Sequence, residues 1–194
     1  MIICSPVKAY YSGELNVLIE KKFSRAASGG VGYAKAAGNY AAQFYPTALA
    51  NQQGYQQIIW TDSSSHEYLE EAGTMNIFFR INDTLITAPT GDTILNGITR
   101  KSVIEWAKST GVTVEERPVS VSEIISAAKN GQLQEIFGSG TAVVISPVHS
   151  FAFEEQKYIL PDITNSMAEQ AKKAITEVQY NVTEDPFGWR YKVC

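Results

Sequence analysis

One lysine stands among small residues: Gly29, Gly30 and Gly32 precede Lys35, and Gly38 with Asn39 follows it. Backbone of this kind can approach a ligand closely. A surface lysine in a flexible loop would have the same neighbours, but a phosphate-binding P-loop is excluded, because Ala34 stands where that motif needs Gly and Ala36 where it needs Ser or Thr. A lysine flanked by small residues in a partly apolar setting is a usable nucleophile toward an aldehyde. Two carboxylates, Glu70 and Glu71, close an apolar run just before Ala72, Gly73, Thr74 and Met75. A carboxylate beside a pyridine nitrogen keeps that nitrogen protonated and lets the ring accept electrons, while a strand-edge charge is the plainer account. Adjacent strand residues face opposite ways, so at most one of the pair points inward, and the pattern does not say which.

Two further segments could receive an anion. Gly97, Ile98 and Thr99 directly precede a helical pattern, where free N–H groups and the positive end of the helix dipole favour a phosphate. Capping of that helix by Thr99 explains the same residues. Gly138, Ser139, Gly140 and Thr141 form a small, hydroxyl-bearing turn whose amides suit a phosphate or carboxylate, although a tight connection between strands would look alike.

The elements that must position these residues are mixed. β-branched and aromatic runs bounded by turn formers predict strands at Met1–Cys4, Leu15–Glu20, Gln56–Thr61, Tyr68–Glu71, Asn76–Ile81 and Leu85–Thr87. Asn82-Asp83 is expected to turn a hairpin. Apolar residues at spacings of three and four predict helices over Arg100–Ser109, Val121–Asn130 and Ser166–Val178, with Ser120 and Glu123 arranged as a capping box. A helix over Tyr40–Gln52 contains Pro46, which removes a hydrogen bond and predicts a kink or a late start. The last strand pair is expected at Leu133–Phe137 and Ala142–Pro147. No repeat or linker divides the chain, so one α/β domain is expected.

The 194 residues are 44% apolar and 11% aromatic, the composition of an ordinary globular protein. With 20 Asp and Glu against 16 Lys and Arg and no basic cluster, nucleic acid and anionic membrane are poor partners. No apolar run approaches the roughly 20 residues of a membrane span, and no secretory pattern opens the chain, which makes a cytoplasmic address the expectation. Cys4 and Cys194 lie at opposite ends, away from any His at metal-ligand spacing, and suggest neither a zinc site nor a disulfide framework. The sequons at Asn82 and Asn181 are short enough to arise by chance. The chain enters at once on a strand-like run, a hint that something upstream is missing.

Taken in order, GGVGYAKAAGNY, EAGTMN, LNGITR and GSGTA closely resemble the successive motifs of the branched-chain amino acid aminotransferases, pyridoxal 5′-phosphate enzymes of fold type IV in the class-IV aminotransferase family. The likeness runs from SPVKAYYSG to the tail around Trp189. It implies an α/β fold in which a mixed sheet forms a partial, pseudo-barrel with flanking helices. That is the large C-terminal domain of the D-amino acid aminotransferase-like fold, here over 1–194.

By this resemblance Lys35 looks like the Schiff-base lysine, Tyr40 like the phenol on the cofactor's ring oxygen, and Glu71, rather than Glu70, like the partner of the pyridine nitrogen. The amides of Ile98 and Thr99 with the Thr141 side chain would cradle the phosphate. The Thr141 and Ala142 amides would receive the substrate α-carboxylate, and Thr74 and Tyr40 would line its side-chain pocket. The implied reaction moves nitrogen from leucine, isoleucine or valine to 2-oxoglutarate, with ping-pong kinetics and Lys35 as base and then acid.

Complete members carry a smaller N-terminal domain that supplies a phosphate-binding arginine, part of the substrate pocket and much of a dimer contact. Nothing here corresponds to it, so the chain alone is expected to bind cofactor weakly and to transaminate poorly. The Cys-x-x-Cys pair of some mammalian members is replaced by Val143 and Ser146, which removes that thiol switch. D-amino acid aminotransferases and aminodeoxychorismate lyases share the lysine and glutamate; GTMN and GSGTA favour the branched-chain group, and assays with L-leucine, D-alanine and aminodeoxychorismate separate the three. A catalytically silent binding or assembly domain is the alternative of a different class.

Overall fold

In the computed structural model, which describes residues 15–193, the elements run β1 (Leu15–Ile19), α1 (Ala37–Gln52), β2 (Gln57–Thr61), β3 (Leu69–Ala72), β4 (Met75–Ile81), β5 (Thr84–Thr87), α2 (Ile98–Ser109), β6 (Thr113–Glu116), α3 (Val121–Lys129), β7 (Leu133–Gly140), β8 (Val144–Phe153), β9 (Gln156–Ile159) and α4 (Met167–Gln179). The strand expected at Met1–Cys4 lies outside the described residues, as do both cysteines.

The mixed sheet closes on itself. Its order is β3-β2-β1-β8-β7-β4, and an added β3–β4 pairing joins the two ends into a six-stranded barrel. β1 is parallel to β2 and β8, whereas the remaining contacts around the ring are antiparallel. β5, β6 and β9 extend it outside the ring.

Strand periodicity sorts the core into layers. Val17, Ile19, Ile59, Leu69, Ile77, Phe79, Ile136 and Phe151 draw on all six ring strands and fill the lumen, with Val121 and Ile124 of α3 packed against them. The alternate residues Phe78 and Phe137 face outward, where α2 and α4 cover them with Val103, Ala107, Ala171 and Ile175. On the opposite side, Ala50 of α1 packs on Ile58 and Trp60. Burial on both faces explains why β2 and β4 read as nearly continuous apolar runs.

Several local expectations meet a different outcome. α1 begins at Ala37, before Tyr40, and runs through Pro46, so the proline does not delay the helix. Gly138, Ser139 and Gly140 belong to β7 instead of to a turn; their pairing with Val144–Ser146 lets the barrel wall continue up to Thr141. Ser120 does accept the Glu123 amide, but Glu123 spends its carboxylate on Arg117 at 2.7 Å, so the reciprocal half of the box is not made there. The full capping box opens α4, at Ser166 and Glu169. Asn82 takes a φ of 51° in the expected hairpin between β4 and β5.

Candidate active site

The β3–β4 hairpin that closes the barrel also builds the centre of the site. Glu71 pairs with Asn76 and Ala72 with Met75 across a two-residue turn, and Gly73, at the first turn position, takes a φ of 57°. Thr74 is thereby presented to a cleft. The cleft consists of two adjoining cavities that share Lys35, Thr74 and Leu95: one adds Arg25, Tyr40 and Glu71, the other Gly97, Ile98, Thr99, Ser139 and Thr141. Of the residues expected at a site, Lys35, Tyr40, Glu71, Thr74, Ile98, Thr99 and Thr141 converge here. Ala142 sits exposed one residue farther along, outside the lining of both cavities.

Lys35 is exposed on the cleft, in a loop that is pinned rather than loose. Asn39 donates from Nδ2 to the carbonyls of Val31, at 2.9 Å, and Ala34, at 2.8 Å. Tyr33 donates its amide to the Asp92 carbonyl, and Asp92 accepts the Gly29 amide. A Cβ on Gly32 would fall 2.5 Å from the Ala26 Cβ, 2.7 Å from the Thr93 Cα and 2.8 Å from the Asp92 carbonyl oxygen. The close approach of these two loops therefore admits only glycine. Gly32→Ala is expected to lower stability by about 2 kcal/mol, within the usual cost of overpacking, and to shift Lys35; urea unfolding measures the first effect and labelling of the lysine by pyridoxal phosphate the second.

Both carboxylates of β3 are buried, because the closed barrel lies on one side of the strand and covering loops on the other, but only Glu71 lines the cleft. Its Oε1 accepts from Asn76 Nδ2 and from the Leu95 amide, each at 3.0 Å. Its Oε2 meets a guanidinium nitrogen of Arg25 at 2.9 Å. Burial pushes the Glu71 carboxyl up to about 7, opposed by Arg25 and then by the Leu95 amide. Glu70 is likewise raised by burial, opposed by its bond with Thr93 and by Arg25.

At the other end of the cleft, α2 starts at Ile98 after Gly97, and no side chain caps it. Thr99 lies inside the helix and does not cap it, so the first-turn amides stay open. Beside them the Ser139 hydroxyl is buried without a hydrogen-bond partner, a costly state that a polar ligand would relieve. Asn76 links the two ends: its Nδ2 also donates to the Leu95 carbonyl at 2.8 Å, and a Cβ on Gly97 would fall 2.2 Å from its Oδ1. Asn76 cannot retreat without releasing Glu71. Gly97→Ala is expected to weaken pyridoxal phosphate binding about tenfold, since overpacking costs roughly 1–3 kcal/mol and 1.4 kcal/mol is a factor of ten; equilibrium dialysis measures it.

Arg25, Asn76 and Leu95 were not legible as site residues, and Asn39 and Ser139 were legible only as members of candidate ligand-binding segments. Asn76 had one usable signal, since the hairpin register sets it opposite Glu71.

The fold is thus a closed mixed barrel of α/β class, with a lysine and a buried carboxylate at one part of a cleft and an uncapped helix start, which suits an anion, at the other. The chain belongs to the class IV aminotransferases: the model for "Amino-transferase class IV" matches residues 5–151. The whole chain is 44% identical to a probable branched-chain-amino-acid aminotransferase of Staphylococcus aureus, of which it covers 55%. It superposes on 60% of the Escherichia coli branched-chain amino acid aminotransferase with a TM-score of 0.82 and 28% identity over 98% of its own length. A branched-chain amino acid aminotransferase solved with pyridoxamine 5′-phosphate shares the fold, at 22% identity over 93% of this chain, 56% of that one, and a TM-score of 0.77. The chain thus spans about half the length of the curated relatives it matches.

Proposed function

We propose that the protein is the cofactor-carrying part of a pyridoxal 5′-phosphate-dependent aminotransferase that moves nitrogen between branched-chain L-amino acids and 2-oxoglutarate. The observation that carries this reading is the convergence, in one cleft, of Lys35, Glu71 and the uncapped start of α2. The names of the full-coverage relatives support the substrate class.

The residues fit the cofactor at both ends. The orphaned Ser139 hydroxyl and the open amides of Ile98 and Thr99, with Thr141, suit a phosphate. The buried Glu71 carboxylate suits a protonated ring nitrogen. When bound, pyridoxal phosphate supplies an aldehyde carbon and an electron-accepting ring. Lys35 Nζ would hold the cofactor through its aldehyde carbon and would move the substrate's Cα proton as base and then acid. Tyr40 would donate its phenol to the ring oxygen and, with Thr74, would line the substrate side-chain pocket. The Thr141 amide, with that of Ala142 just beyond the cavity lining, would hold the α-carboxylate. The same groups work in reverse on the oxo acid, which gives ping-pong kinetics. A homodimer and a cytoplasmic address for the full-length protein belong to the same proposal.

Incubation with pyridoxal 5′-phosphate, borohydride reduction and peptide mass spectrometry test it. The label is expected on Lys35 ahead of the surface lysines; a label spread evenly over the lysines, or absent from Lys35, overturns the reading.

A further inference from the structure

We infer that Arg25 is a positioning residue for the nitrogen end of the cofactor ring, holding Glu71 as a fixed, charged acceptor in the cleft. The inference rests on Glu71 being the ring-nitrogen partner.

Arg25 belongs to the loop between β1 and α1, yet its side chain is only 7% exposed and that of Glu71 only 5%. A buried ion pair seldom stabilises a fold more than apolar residues of the same size would, so a buried arginine in a loop, beside a lysine and a carboxylate in a cleft, points to work on the site. Its guanidinium has anchors of its own: it donates to the carbonyls of Gly32, at 3.2 Å, and Thr93. Those carbonyls lie on the Lys35 loop and on the segment leading to α2. Arg25 is therefore held independently of Glu71, and it holds Glu71 in turn.

The donors divide the carboxylate. Asn76 and Leu95 occupy Oε1 with uncharged hydrogen bonds, while Arg25 is the partner at Oε2. Oε2 retains a lone pair, so it is the oxygen left for a ring N–H. The neutral donors orient the carboxylate, while Arg25, ahead of Lys35, supplies most of the charge that offsets its burial. The charged groups acting on Glu71 are Arg25, Glu70 and Lys35, and Glu70 works against ionisation. Arg25 outweighs it in that balance. A lysine would replace it only in part, because its ammonium ends one bond nearer the backbone than Nη2, the nitrogen that meets the carboxylate and both carbonyls.

The test is the pH dependence of pyridoxal 5′-phosphate affinity, measured by equilibrium dialysis for the wild-type chain, Arg25→Met, Arg25→Lys, Glu71→Gln and the Arg25→Met/Glu71→Gln double variant. Without Arg25, Glu71 ionises only at higher pH, so the profile of Arg25→Met is expected to move upward by about one unit, equivalent to about tenfold weaker binding near neutrality. Arg25→Lys should move part of the way. In the Glu71→Gln background, Arg25→Met should leave the profile in place. A purely structural role would instead weaken binding equally at every pH, and that result, or a shift persisting in the Glu71→Gln background, overturns the inference. If Arg25→Met does not fold, Arg25→Lys decides: an unmoved profile in that variant also overturns it. Failure of the parent reading is distinguishable, because then Glu71→Gln itself leaves cofactor affinity unchanged.

Discussion

Lys35→Ala is expected to abolish transamination, with a loss of at least about 10³-fold, because the proposed function gives one amine the roles of nucleophile and proton carrier, and general acid–base catalysis alone contributes about 10²–10⁴. The variant should fold normally, since Lys35 is exposed. Asn39 and Gly32, not Lys35, hold the loop in place. Pyridoxal phosphate should still bind through the α2 start, but without the visible absorbance of a lysine adduct and without borohydride-trapped label. Added primary amines should restore part of the proton transfer. Full activity in Lys35→Ala, measured with L-leucine and 2-oxoglutarate on the holoenzyme, would falsify the assigned chemistry.

Glu71→Gln carries the second large effect. The glutamine fills the same space but cannot keep a ring nitrogen charged, and removing one preorganised electrostatic stabiliser typically costs about 10²–10³ in rate. Without cofactor the same substitution changes how stability depends on pH. Burial raises the carboxyl of the folded protein from 4.5 to about 7, so the fold binds this proton more tightly than the unfolded chain does. Protonation therefore favours the fold. The contribution is complete below the unfolded value, falls as pH rises, and is gone above about 7, an amplitude of about 3 kcal/mol. Urea unfolding at about pH 5 and about pH 8 should show the wild-type chain losing this much more stability than Glu71→Gln across the interval. Parallel losses in both proteins would mean that Glu71 does not titrate there.

The fold was legible to the extent that local pattern sets it. β1 to β5 and α2 to α4 fall close to where apolar runs, turn formers and helical spacing put them, because each of these signals is local to its own segment. Closure of the barrel was not readable in the same way. It depends on the β3–β4 pairing and on β1 lying between β2 and β8, contacts between segments far apart in the chain. The segment at Gly138–Gly140 looked like a turn because glycine weakens a strand, yet tertiary pairing with both β4 and β8 keeps it extended.

By itself the sequence determined which residues could react and in what order they occur: a lysine among glycines, a glutamate before a tight turn, a glycine–threonine approach to a helix, and a hydroxyl-bearing glycine segment. Spacing could not separate Glu70 from Glu71, and the family resemblance chose the one that the cleft receives. Only the tertiary structure decided what surrounds that carboxylate. Arg25 lies 46 positions before it, and Leu95 lies 24 after it. Periodicity reports which face of an element is apolar, but the partner of a buried charge is set by how separate loops come together after the barrel has closed.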